Sequence, residues 1–195
     1  WALVLGASSG FGAEVSQKLS EYGVNIIGVH LDRKGTMGNV EKIIAKIESK
    51  GAKAKFFNIN AADEEKRDKV LDEVSSLISK DEKKIKILLH SLAFGSLKPY
   101  LNGDSSSNVT QKNMEMTIDV MANSIVYWTQ GVVKRSLFSS NGRIYGMTSA
   151  GSRKIWPTYG PVSAAKSALE SHIRQMAVEL APQRITANSL CAGVT

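Results

Sequence analysis

The stretch that decides the fold is ALVLGASSGFG, residues 2–12. Its first four residues are apolar and predict a buried strand, and Gly6, Gly10 and Gly12 form a G-x-x-x-G-x-G turn ahead of a helical stretch. Glycines in this arrangement permit a tight turn, a close approach of the backbone to a pyrophosphate group, and a helix that begins beside the strand. The helix amino terminus then offers unpaired N–H groups to phosphates. The motif, in this position, predicts a dinucleotide-binding site.

The rest of the chain repeats the alternation of a short apolar run with a longer segment of helical spacing, which is typical of a parallel sheet with crossover helices. We therefore predict an α/β fold: a doubly wound parallel sheet of the Rossmann type, in a single domain over residues 1–195. The predicted strands are Ala2–Leu5, Asn25–Val29, Ala54–Asn58, Ile85–His90, Gly142–Met147 and Ile185–Cys191. The apolar stripes expected to face the sheet are Val40/Ile43/Ile44/Ile47, Val70/Val74/Leu77/Ile78 and Val162/Leu169/Ile173/Met176/Leu180.

Composition narrows the function classes. The chain has 195 residues, 43% of them hydrophobic and 22% charged, as in one globular domain. Its net charge of +7 favours acidic partners without identifying one, and we predict no nucleic-acid partner. One cysteine, Cys191, excludes an internal disulfide, and three histidines predict no zinc site. No apolar run reaches the roughly 20 residues of a membrane span. We expect a cytoplasmic protein. Because Trp1 is not a natural start and Thr195 directly follows a predicted strand, we also expect that a C-terminal part is missing.

The end of the second predicted strand bears on the choice of cofactor. Asp32 stands 20 residues after Gly12, the spacing of a carboxylate that holds the ribose hydroxyls of NAD. Arg33 and Lys34 favour the 2′-phosphate of NADP instead. We expect His30 to lie at the tip of the strand, and we favour NADPH while leaving NADH open.

Several later motifs follow in a recognisable order. The fourth strand runs into Ser91-Leu92-Ala93-Phe94-Gly95, the fifth ends at Thr148-Ser149, Tyr159 precedes Lys166 by seven residues, and Asn188 to Gly193 closes the series. With the glycine turn, this order resembles the short-chain dehydrogenase/reductase superfamily over nearly the whole chain. The resemblance implies that the cofactor contacts Gly6, Ser8, Ser9, Gly10, Phe11, Gly12, Asp32, Arg33, Asn58, Ile59, Ser91, Ala93, Lys166, Gly193 and Val194.

The catalytic segment departs from ordinary members of that superfamily. Their tyrosine stands four residues before the lysine, where this chain has Val162, and their catalytic asparagine corresponds to Met121. The Y-x6-K spacing, the His90-Ser91 pair and Ala192-Gly193 are similar to the enoyl-acyl-carrier-protein reductases of fatty-acid synthesis. The intact glycine motif and Ser149 are like ordinary members, which suggests a less common enoyl reductase subtype.

The resemblance implies a role for each catalytic residue. Tyr159 is expected to donate a hydrogen bond to the thioester oxygen of an enoyl substrate, and Lys166 to hold the nicotinamide ribose. Pro161 suits a first helical position, so Tyr159 should lie just ahead of a helix. Ser149 is a candidate partner of Tyr159 or the substrate. We assign Phe94 to the acyl pocket in preference to Trp156, and expect Cys191 to be buried.

The sequence leaves two alternative functions open. A carbonyl or 3-oxoacyl reductase of the same superfamily would ordinarily carry tyrosine at position 162 and asparagine at 121, and a non-catalytic dinucleotide sensor would not need both Tyr159 and Lys166. The thioester carrier, acyl carrier protein or coenzyme A, is left open. The resemblance also implies a homo-oligomer, as a tetramer.

Overall fold

The computed structural model describes residues 1–81 and 84–193. This part of the chain forms a six-stranded parallel sheet in the order β3-β2-β1-β4-β5-β6. The strands are β1 Ala2–Leu5, β2 Ile26–His30, β3 Ala54–Asn58, β4 Ile85–His90, β5 Phe138–Ser149 and β6 Thr186–Ala192. The helices are α1 Gly10–Ser20, α2 Met37–Glu48, α3 Glu64–Asp81, α4 Gln111–Ile118, α5 Ser124–Lys134 and α6 Gly160–Leu180. The predicted doubly wound parallel sheet is confirmed.

Strand boundaries differ from prediction mainly at β5. The apolar run predicts residues 142–147, yet β5 begins four residues earlier, at Phe138, and ends two later. Phe138 pairs with Ile85 of β4, and the register then shifts before Ile87 pairs with Arg143. The added residues 139–141 are polar and partly or fully exposed, and they lie within this register shift, so the pairing of Phe138 with Ile85 extends the strand without an apolar pattern.

The apolar stripes face the sheet and build a core on each side of it. On one side, Val40, Ile43 and Ile47 of α2 are buried, and the two isoleucines pack with β1 and β2 residues. On the other side, helices α3, α5 and α6 cover the sheet around Trp128, which is fully buried and donates its indole N–H to the Ala61 carbonyl at 2.8 Å. Because helices cover both faces of the sheet, the central strands β1 and β2 are fully buried and read as continuous apolar runs.

The sheet brings three loops together at its carboxyl edge. The chain turns to opposite faces after β1 and β4, which are neighbours, so a crevice opens between their ends. Gly6 has a φ of +89°, and a Cβ there would collide with the Ser91 carbonyl after β4; a Cβ on Gly12 would collide with the Gly6 carbonyl. These glycines therefore allow the β1 turn, the start of α1 and the β4 loop to pack against one another.

Candidate active site

The glycine turn lines a cavity of about 400 Å³ at this crevice. The Ser9 side chain makes no capping hydrogen bond to the described backbone, and the first turn of α1 contains no acidic residue. Free N–H groups without a nearby carboxylate suit a pyrophosphate, so these residues fit a dinucleotide. The sequence-predicted residues that line the cavity are Gly6, Ser8, Ser9, Gly10, Phe11, Ile59, Ser91 and Ala93. Leu31, Asn60, Ala61, Met116 and Val120 also line it and were not predicted.

Asp32 lies just after β2, and its carboxylate is already engaged. It contacts His30 Nδ1 at 2.9 Å and has a side chain only 15% exposed. Burial opposes ionisation of this carboxyl group, but hydrogen bonds from Ser8, Thr36 and His30 outweigh it and lower its pKa. The Asn58 side-chain amide makes two hydrogen bonds to the backbone of Asp32. Its Oδ1 accepts from the Asp32 N–H and its Nδ2 donates to the Asp32 carbonyl, both at 2.9 Å. Asn58 thus fixes the turn that carries Asp32, outside the cavity lining.

Arg33 and Lys34 follow on the surface. Both are exposed, and neither side chain makes a hydrogen bond or ion pair to the residues that the structure describes. The strand ends at His30, as expected. This turn, next to the cavity-lining Leu31, thus carries one engaged carboxylate and two unengaged cations.

The catalytic candidates lie at the other end of the crevice. Tyr159 is the residue immediately before α6, with Pro161 in the first turn, as predicted. Seven residues make almost two helical turns, so Tyr159 and Lys166 lie on the same side of α6, roughly 10 Å apart along its axis. The Tyr159 hydroxyl lies 3.4 Å from Ser149 Oγ at the end of β5. The structure thus brings Tyr159, Lys166 and Ser149 to one place.

Lys166 is buried and held by backbone oxygens. Its Nζ donates to the Met147 carbonyl at 2.7 Å and to the Leu92 carbonyl at 3.2 Å, which tie it to β5 and to the loop after β4. Burial lowers its pKa to about 8, so the ammonium is still mostly protonated at pH 7. A fixed cation at this point can hold ribose hydroxyls and can stabilise negative charge nearby.

A second cavity, of about 690 Å³, opens at Tyr159 and shares Phe11, Ser91, Leu92 and Ala93 with the first. The remaining lining is mostly apolar: Gly95, Leu97, Met121, Met147, Thr148, Ser149, Trp156, Tyr159, Val162, Lys166, Ala192 and Gly193. The assignment of Phe94 to this pocket does not match its placement, because Phe94 is 62% exposed and lines the first cavity. Trp156 lines the second cavity instead, since the loop after β5 folds over Tyr159.

Met121 and Val162 supply apolar walls where a carbonyl reductase of the resembled superfamily carries asparagine and tyrosine. Met121 is buried within a wider, π-helical turn at Asp119–Asn123 that joins α4 to α5. Such turns occur frequently at functional sites. Both side chains approach Gly95, where a Cβ would lie 2.7 Å from Met121 Sδ and 3.0 Å from Val162 Cγ2. The loop after β4 therefore lies tightly against this wall.

Gly151 is a site residue that the sequence analysis missed. The Tyr159 ring lies directly on its Cα: a Cβ there would be 2.9 Å from Tyr159 Cδ1, closer still to Cε1, and 2.9 Å from Trp156 Cζ3. Trp156 in turn meets the Tyr159 ring edge-on, with centroids 5.3 Å apart. Gly151, Trp156 and Ser149 together fix the orientation of the Tyr159 ring.

The remaining predicted residues differ in whether their placement matches expectation. Val194 lies outside the described residues. Cys191 is exposed, so its predicted burial is wrong: β6 lies at the edge of the described sheet and leaves that side chain uncovered. His90 is fully buried at 2.9 Å from Ser124 Oγ, and burial lowers its pKa to about 3, so it stays neutral.

Within the described ranges, no cluster of metal-ligating side chains is found, and no helix is long and apolar enough to cross a bilayer.

Comparison with known proteins identifies the family. The family model described as enoyl-(acyl carrier protein) reductase matches residues 6–195. A 1-cyclohexenylcarbonyl-CoA reductase of Streptomyces collinus is 25% identical over 193 residues, which cover 99% of this chain and 64% of that protein. An NADPH-dependent aldehyde reductase-like protein of Arabidopsis thaliana is also 25% identical, over 98% of this chain and 71% of its own.

A solved structure has the same fold. An enoyl-acyl-carrier-protein reductase of Anaplasma phagocytophilum, crystallised with NAD, superposes with a TM-score of 0.80 at 19% identity and covers 98% of this chain and 70% of its own. The present chain thus spans about two thirds of the length of these proteins. The match over nearly all of its residues, on a Rossmann sheet with the glycine turn and the Tyr159–Lys166 pair in place, shows that this chain belongs to the enoyl-(acyl carrier protein) reductase family of short-chain dehydrogenases/reductases.

Proposed function

We propose that this protein is an enoyl-thioester reductase, which transfers hydride from NAD(P)H to the β-carbon of a trans-2-enoyl thioester. The observation that carries the proposal is the polarity of the second cavity around Tyr159. Tyr159 lines this cavity together with the apolar side chains of Val162 and Met121. A ketone reductase needs a proton relay at this point, whereas a flat enoyl group needs one donor at its carbonyl oxygen and dry walls elsewhere.

A bound reduced nicotinamide supplies the hydride. As negative charge develops on the thioester oxygen, the Tyr159 hydroxyl donates a hydrogen bond to it, as an oxyanion-hole donor does. Ser149, 3.4 Å from that hydroxyl, orients it. The Lys166 ammonium, held by the Met147 carbonyl, would bind the nicotinamide ribose. Trp156 packs on the ring and excludes water.

For the cofactor, we propose a preference for NADPH. The Asp32 carboxylate is covered and occupied by its own neighbours, so it is poorly available to ribose hydroxyls. The unengaged Arg33 and Lys34 offer positive charge where a 2′-phosphate would lie. The relatives differ on this point: the Arabidopsis protein is named NADPH-dependent, and the Anaplasma structure contains NAD.

Carbonyl reduction is the second candidate. The 3.4 Å pair of Ser149 and Tyr159 hydroxyls favours it, because a serine beside the catalytic tyrosine is the arrangement of ordinary members of the resembled superfamily. The similar Arabidopsis protein carries an aldehyde reductase name. Assembly as a homo-oligomer, a tetramer by the family resemblance, stays a prediction.

The role of Tyr159 is tested by Tyr159→Phe, assayed with crotonyl thioester and reduced cofactor. We expect kcat to fall about 10²- to 10³-fold, the usual effect of removing one oxyanion donor, with unchanged cofactor affinity. Tyr22→Phe is the matched control, because Tyr22 is 74% exposed and remote from both cavities. Full activity of Tyr159→Phe would contradict the proposed function.

A further inference from the structure

His30, the last residue of β2, is a buried histidine to which the proposed reaction assigns no role. Its side chain is 2% exposed, yet the residue lines the first cavity, as does Ser8 of the glycine turn. Its Nδ1 lies 2.9 Å from Asp32 Oδ2. An ionised carboxylate only accepts hydrogen bonds, and the pKa of Asp32 is lowered, so Nδ1 carries the proton and donates. His30 is thus a buried donor to the Asp32 carboxylate.

The position of the His30 ring is fixed by its neighbours in the sheet. The Phe56 ring of β3 packs beside it at an angle of 50°, with the ring centroids 6.1 Å apart. Gly28 permits this packing, because a Cβ there would come within 2.7 Å of the Phe56 ring. The His30 carbonyl accepts from the Ile59 N–H at 2.8 Å, which ties the same residue to the end of β3. The donor to Asp32 is therefore held in place by β2 and β3.

The state of the Asp32 carboxylate bears on both cofactors. A free carboxylate at the end of β2 accepts from the 2′-hydroxyl of the NAD ribose, and its charge repels the 2′-phosphate of NADP. In this structure His30 donates to Oδ2, and Ser8 and Thr36 also donate to the carboxylate. Each donor occupies an acceptor position that the ribose would need and offsets part of the negative charge. An engaged Asp32 therefore disfavours NAD and repels NADP less.

We propose that His30 is a positioning residue that shifts the cofactor preference toward NADP(H), because it withholds the Asp32 carboxylate from the ribose. The inference rests on the proposed dinucleotide site and adds a determinant that acts from beneath the site, through Asp32. Both consequences have the same direction: NAD loses a ribose acceptor, and NADP meets less repulsion. The role concerns the choice between the dinucleotides and does not depend on which group the nicotinamide reduces.

The test measures the Kd values of NAD⁺ and NADP⁺ by calorimetry in the wild type and in His30→Leu. Leucine fills a similar volume and cannot donate. We expect the ratio of the Kd for NADP⁺ to the Kd for NAD⁺ to rise about ten- to a hundred-fold, the usual effect of a hydrogen bond to a charged group. His30→Asn should restore most of the wild-type ratio, because its amide Nδ2 can replace Nδ1 as the donor. The two dinucleotides differ only in the 2′-phosphate, so general damage to the site would weaken both equally and leave the ratio unchanged.

A double-mutant cycle checks that His30 acts through Asp32. In the Asp32→Asn background, which has no carboxylate at this position, His30→Leu should leave the ratio unchanged. The matched control is His172→Leu, because His172 lies on α6, 3.2 Å from Asn123 Oδ1, and lines neither the first nor the second cavity. This control should keep the wild-type ratio.

The inference is overturned if His30→Leu keeps the wild-type ratio, if it weakens both dinucleotides equally, or if it shifts the ratio as much in the Asp32→Asn background. Should His30→Leu fail to fold, His30→Val, which suits a strand, takes the same test. A wild type that binds NAD⁺ more tightly would refute the proposed cofactor preference, whereas a further shift toward NAD⁺ in His30→Leu would still support the role of His30.

Discussion

Gly151→Ala is predicted to impair catalysis by moving Tyr159. The added Cβ would lie 2.9 Å from Tyr159 Cδ1 and from Trp156 Cζ3, and closer still to Tyr159 Cε1. Since carbon atoms pack at about 3.5–4.0 Å, the Tyr159 ring must retreat by more than about 1 Å at Cε1. A misplacement of about 1 Å at a reacting centre costs about 10²-fold in rate. We therefore expect kcat with crotonyl thioester to fall about 100-fold.

The assay separates this effect from general damage. A Cβ on Gly151 would meet Tyr159 and Trp156 rather than the glycine turn or Lys166, which would hold the cofactor, so cofactor affinity measured by calorimetry should change little. The control is Gly103→Ala, because a Cβ on Gly103 has no neighbour within 4 Å. It should keep full kcat. Trp156→Leu, which removes the edge-on partner without a collision, should lower kcat less than Gly151→Ala does. Undiminished kcat in a folded Gly151→Ala protein, or a parallel loss of cofactor affinity, would refute the reasoning.

Three further predictions concern the cofactor. Gly12→Val should weaken dinucleotide binding measured by calorimetry while circular dichroism stays native, because a side chain there forces α1 away from the β1 turn; undiminished binding would contradict the site. Arg33→Ala/Lys34→Ala should raise the KM for NADPH about ten- to a hundred-fold and leave that for NADH unchanged. Should the wild type prefer NADH, Asp32 is the ribose ligand instead. Cofactor affinity should fall as pH rises through 8, where Lys166 loses its proton. The same residue should raise the free energy of unfolding as pH rises from 8 to 10.5, because the unfolded chain binds more protons than the folded chain in that range. A constant Kd between pH 7 and 9.5 would contradict the role of Lys166.

The centre of the sheet was predictable because β1 and β2 are buried along their whole length and read as continuous apolar runs. The boundaries of β1, β3 and β4 match prediction at both ends. The start of α6 was predictable because Pro161 carries a local signal. The extension of β5 was not, since it depends on the pairing of Phe138 with Ile85 of β4, four residues ahead of the apolar run.

The candidate pair Tyr159 and Lys166 was predictable because its spacing resembles a family motif, but its surroundings were not. Gly151 contacts a ring eight residues further along the chain, and only the turn of the loop after β5 brings them together. The hydrogen bonds that engage Asp32 depend likewise on Ser8, in the turn after β1, and on Asn58, the last residue of β3. Phe94 and Trp156 are both aromatic residues after strands, so the sequence could not tell which one faces Tyr159. Contacts between loops that are distant in sequence decide these points.

The central claim is that the cavity at Tyr159 serves an enoyl group rather than a ketone. The most direct measurement is the oxidation of reduced cofactor by the purified protein, followed by absorbance, with crotonyl and acetoacetyl thioesters of one carrier in parallel. The apolar Val162 and Met121 walls predict rapid oxidation with the crotonyl thioester and almost none with the acetoacetyl thioester. A faster reaction with the acetoacetyl thioester would contradict the account and make the protein a carbonyl reductase.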